Sequence, residues 1–171
     1  MINILTVNLF LSTLVFWVAA RIYLWPSLPE LGARALLVPI LLLHSFRHLG
    51  LMFLSPGATY PGMPPEFANP AAYGDLVAAF LALVAIAALV GGARISKALV
   101  WIFNLEGTVD LATAIVLGTA YGADKFMGAA YWIPSFWVPA LLVTHYITWV
   151  YLLRYWKEDR VSLRGMGHFG G

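Results

Sequence analysis

The chain has no cysteine and very little charge. Without cysteine there are no disulfides, iron–sulfur clusters or thiol nucleophiles, and the redox compartment stays undetermined. Scarcity of charge says more. Of the 171 residues only 11% are charged and 61% are hydrophobic, where a soluble domain carries roughly 25% charged residues. Mean hydropathy is +0.83. Internal repeats, low-complexity tracts and a soluble domain are also absent, and no nucleic-acid partner is expected. The composition points to an all-α integral membrane protein in direct contact with the lipid bilayer.

Apolar runs of the length that crosses a bilayer predict a bundle of five transmembrane helices in one domain, residues 1–156. The spans are placed at about 4–24, 28–54, 70–90, 96–120 and 132–155, with a short polar tail at 157–171. The first apolar run, Ile2 to Leu24, is too long for a signal-peptide core and lacks a basic region before it, so it reads as an uncleaved span. Ser27 and Glu30 have capping-box spacing and predict a second helix from Leu28. Pro39 should kink that helix. Asn69-Pro70 reads as the start of the third helix. Between them, residues 55–69 are rich in proline and glycine, and read either as a lid over the bundle mouth or as a plain connector.

Basic residues set the expected orientation. Arg21, Arg34, Arg94, Lys97, Arg154, Lys157, Arg160 and Arg164 fall on one side of a five-span topology, and Lys125 alone on the other. The positive-inside rule places the first group in the cytoplasm. The amino terminus and the proline-rich loop are then outside, in a cell membrane taken to be a bacterial inner membrane. His168, in the tail, reads as a solvated residue.

A few ionisable residues break the apolar runs. His44, Arg47 and His48 lie in the second span, Asp75 in the third, Glu106 and Asp110 in the fourth and His145 in the fifth. Such groups are costly in hydrocarbon and normally face a protein interior or a wet cavity. Counting about 1.5 Å per residue puts His44, Asp110 and His145 roughly 15–20 Å below the outer surface. Glu106 lies a turn deeper, and Arg47, His48 and Asp75 lie shallower.

Several chemistries fit this set. Metal binding leads: His44 and His48 share a helix face, Glu106 and Asp110 repeat the spacing, and His145 completes a shell suited to zinc or non-haem iron. Arg47 and Asp75 would then stand behind the ligands, with Asp75 orienting His48. A b-type haem is the second reading, with His44 or His48 and His145 as axial ligands and Arg47 at a propionate. The third is cofactor-free catalysis on a lipid-like substrate by Glu106, Asp110 and His145. Against these stands a self-paired polar core. There Arg47 pairs with Asp75 or Asp110, the histidines bond carboxylates, and the protein is a structural or assembly subunit of a membrane complex or a homo-oligomer. A proton or ion path is the remaining alternative.

Overall fold

A computed structural model describes residues 3–156; the expected tail at 157–171 lies outside the described residues. Helix α1 spans Ile4–Ala19 and continues through a π-helical turn, Ala20–Leu24, and a 3-10 turn, Trp25–Ser27. Helix α2 is Ala33–Ser45, extended by a 3-10 helix over Phe46–Leu54. Helices α3 and α4 are Pro65–Val90 and Ser96–Ala120. Helix α5, Val138–Arg154, is preceded by a 3-10 turn at Gly128–Tyr131 and a π turn at Ile133–Trp137. The described residues thus form an all-helical bundle with five helices long and apolar enough to cross a membrane.

Two helix starts differ from the sequence expectation. The Ser27–Glu30 capping box does not form. Ser27 ends a 3-10 turn, and its carbonyl takes the Glu30 and Leu31 amides, whereas an N-cap needs extended backbone. Gly32 meets that requirement with ψ of 156°, so α2 starts at Ala33. Helix α3 starts at Pro65 instead of Pro70. Proline at the first helical position forfeits only an amide that has no partner anyway, and Pro70 is carried inside the helix.

Helix α3 is the centre of the packing. Its buried face carries Ala71, Ala78, Ala82 and Ala85, and small side chains let neighbouring backbones approach closely. The extension of α2 lies on one side of it and α4 on the other. Helix α1 is peripheral: none of its residues Ile4–Ala19 is buried, and Phe10, Leu14 and Val15 are exposed. Such a surface suits lipid better than water.

The bundle has two distinct ends. At one, the Arg34 Nε donates to the Leu89 carbonyl at 2.7 Å, Arg21 lies over the Trp25 ring and Lys97 over Trp156. At the other, the proline-rich loop is fixed in place. The Tyr60 amide donates to the Phe126 carbonyl and the Ala130 amide to the Ala58 carbonyl, both at 2.9 Å. Phe53, Phe67 and Met127 pack beneath this cap.

The tight alanine face of α3 yields a prediction. Ala82→Leu, at a fully buried position, should lower the unfolding free energy in detergent by about 1–3 kcal/mol through overpacking. Val77→Leu, on the exposed side of the same helix, should leave it unchanged.

Candidate functional site

The change of helix type after Ser45 decides which side chains meet. A 3-10 helix has three residues per turn, so positions three apart eclipse one another. Arg47, Gly50 and Phe53 are all buried along this line, directly following buried His44. His48 is turned out of it and is exposed, its Nδ1 set against the Ser45 carbonyl at 2.9 Å. The expected His44–His48 pair therefore does not exist: it required a helical period that ends before His48.

Arg47 occupies the middle of the cluster, with an exposure of only 1%. Its Nε donates to Asp75 Oδ1 at 2.7 Å, and its Nη2 donates to Asp110 Oδ2. Its Nη1 faces the Gly107 carbonyl and His145 Nε2, each at 3.4 Å. The guanidinium thus ties together α3, α4 and α5. Asp75 serves Arg47, not His48.

Glycine makes this approach feasible. A Cβ on Gly107 would lie 2.6 Å from the His145 ring and 2.7 Å from Arg47 Nη1. Cβ atoms on Gly50 and Gly74 would collide with the Asp75 and Asp110 carboxylates respectively.

The histidines take their places from neutral partners. Asn104 Nδ2 donates to the His145 carbonyl at 3.4 Å, and Asn104 Oδ1 lies 2.7 Å from His145 Nδ1. An amide oxygen only accepts, so His145 Nδ1 carries the proton. Its Nε2 is then an acceptor, turned toward Arg47. Thr144 Oγ1 donates to the Ala140 carbonyl at 2.8 Å, which leaves it to accept from His44 Nε2 at 2.9 Å. The two imidazoles meet edge to face with centroids 4.3 Å apart.

Asn104, Thr144 and the three glycines were not prominent in the sequence. Asn104 and Thr108 lie on a different face of α4 from Glu106 and Asp110. What they face is α5: Thr108 accepts from Trp149 Nε1 at 3.1 Å. An amide and a hydroxyl four residues apart in an otherwise apolar run were the available signal.

Among the described residues, no three His, Asp or Glu side chains are placed to hold a metal ion. The guanidinium takes the position between the carboxylates and His145 where a metal cation would have to sit. His48 is outside the cluster, and Glu106 is half-buried, its Oε2 without a hydrogen-bond partner among the described residues. The haem pairing meets a similar obstacle: the rings of His44 and His145 touch, which leaves no room for a macrocycle between them. His44, Asp75, Asp110 and His145 do converge, but on Arg47.

A cavity of about 210 Å³ adjoins the cluster. Asp75 lines it together with apolar residues such as Leu9, Phe67, Ala114 and Ile133 and the polar Asn3, Thr6, Thr119 and Asp124. It lies between α1 and α4 at the end capped by the proline-rich loop.

The architecture is that of a five-helix bundle with an arginine–carboxylate core. By sequence the chain belongs to the family described as Domain of unknown function (DUF8737), which it matches over residues 4–153. No curated protein and no solved structure matches it.

The cluster predicts a specific mutational pattern. Arg47→Met strands two carboxylates and should cost about 3–5 kcal/mol of unfolding free energy in detergent. Adding Asp75→Asn and Asp110→Asn to it should restore most of that loss. A triple variant no more stable than Arg47→Met would contradict the pairing.

Proposed function

We propose that the protein is an integral membrane protein that holds a lipid-like molecule in the cavity between α1 and α4. The amino terminus and the capped end lie outside, and the basic end is cytoplasmic. The orientation is supported by the distribution of arginine and lysine, which favours retention of Arg21, Arg34, Arg94, Lys97 and Arg154 in the cytoplasm. The membrane is a cell membrane.

The observation that carries the binding reading is the double position of Asp75. One carboxylate oxygen anchors Arg47, while the residue also lines the cavity. The charged core therefore forms the floor of an apolar chamber. Ligand sites commonly combine apolar walls with a small number of fixed polar groups. Arg47 is enclosed and fully engaged, so its part is to hold Asp75, Asp110 and His145 in place. The cavity is bordered by the least buried helix of the bundle, and a molecule dissolved in the bilayer could reach it laterally past α1.

Filling the chamber tests this. Ala114 is partly buried on the cavity wall, one helical turn beyond Asp110. In native mass spectra of the detergent-solubilised protein, added dodecanol should be retained by the wild type and lost in Ala114→Trp. Equal retention by both proteins would overturn the reading.

A further inference from the structure

The reading of the cavity as a ligand site can be taken further, because its polar groups are sorted by depth. The walls are apolar for about 12 Å, the rise along α4 from Leu111 to Thr119. At the capped end they give way to Asn3, Thr6, Thr119 and Asp124. This is the layering an amphiphile requires, with the polar head toward the capped end and the chain toward the bundle centre. The volume of about 210 Å³ is below the roughly 300–1,000 Å³ of pockets for compact drug-sized ligands. One narrow chain fits that space better than a branched or two-chain lipid.

Charge selects the head group. Among the described residues the charged ones on the cavity wall are Asp75 and Asp124, and no lysine or arginine lines it. Asp75 is already compensated by Arg47. Asp124 is not: among the described residues the ion pairs are those of Arg47 with Asp75 and Asp110. Neighbouring Lys125 is exposed and does not line the cavity. Asp124 is held in the short 3-10 turn Ala123–Phe126, whose Phe126 carbonyl receives the Tyr60 amide of the capping loop. A partly buried carboxylate on a fixed turn thus faces an otherwise neutral mouth.

We infer that the occupant is a single-chain amphiphile with an ammonium head, its head beside Asp124 and its chain between α1 and α4. The inference rests on the cavity being a ligand site, and the test separates the two. Dodecylamine, dodecanol and dodecanoate share a chain and differ in the head. Each is titrated against wild type, Asp124→Asn and Ala114→Trp in the same detergent, with native mass spectrometry as the readout.

Dodecylamine should bind the wild type about fivefold more tightly than dodecanol, the ratio expected for one ion pair at a protein boundary. Asp124→Asn should abolish that preference and leave dodecanol affinity unchanged. Asp124 is remote from the Arg47 cluster, so the variant should unfold at the wild-type denaturant concentration. An amine bound no better than the alcohol, a preference for dodecanoate, or a preference that survives Asp124→Asn would each overturn the head-group assignment while leaving the cavity reading intact. If dodecanol also fails to bind, or Ala114→Trp binds all three as wild type does, the cavity reading falls and the inference with it.

Discussion

The contacts of Arg47 with Asp75 and Asp110 are the constraint on which the rest of the structure depends. An arginine in the middle of a membrane helix is unfavourable by about 2.5–3.5 kcal/mol even on the mildest scale, and more if it cannot reach water or a partner. Here it reaches no water, being 1% exposed. Its donors are directed instead at two carboxylates, the Gly107 carbonyl and an imidazole nitrogen. Guanidinium geometry suits this task, since its planar array of N–H groups can serve several acceptors at once. The arrangement fixes the relative height of α2, α3, α4 and α5. It also explains the glycines at 50, 74 and 107, where a single methyl group would intrude on the cluster.

The same constraint orders the chemistry around it. Because His145 Nε2 faces a guanidinium, that lone pair is directed at Arg47. Because His44 bonds Thr144 on its own side of α5, the two rings pack together as part of the core. Asp75 also lines the cavity proposed to hold a ligand. The proline-rich loop is tied by the Tyr60 amide to the turn that carries Asp124, at the same end of the bundle. Under the proposed binding reading, exchange runs past α1, none of whose residues Ile4–Ala19 is buried.

The architecture was legible in the sequence wherever a physical signal was strong. Helix α4 lies at Ser96–Ala120, as its flanking glycine turn and long apolar run indicate. The common level of His44, Asp110 and His145 followed from counting depth along helices, which set Asp75 and Arg47 shallower, and the pairing of Arg47 with Asp75 or Asp110 was one of the alternatives. The period of the second span was not legible. Residues 44 and 48 share a face in an α-helix, but the chain is 3-10 helical from Phe46 onward, so the face passes through 44, 47, 50 and 53 instead. That period sets Gly50 closely against Asp75, a tertiary contact that no local pattern records. The histidine partners were missed for a related reason: carboxylates were expected, whereas Asn104 and Thr144 supply the bonds through neutral groups. The start of α2 was misplaced because Ser27 has the right side chain in the wrong backbone conformation.

The central claim, that a dry guanidinium organises the bundle, can be tested directly by solid-state magnetic resonance in lipid bilayers. With 15N-labelled arginine and 13C-labelled aspartate side chains, the account predicts an Arg47 Nε–H that exchanges slowly with solvent. It also predicts dipolar coupling to the Asp75 carboxyl carbon, consistent with the 2.7 Å nitrogen–oxygen contact, and loss of that coupling in Asp75→Asn. A rapidly exchanging Arg47 with no carboxylate carbon in range would contradict it.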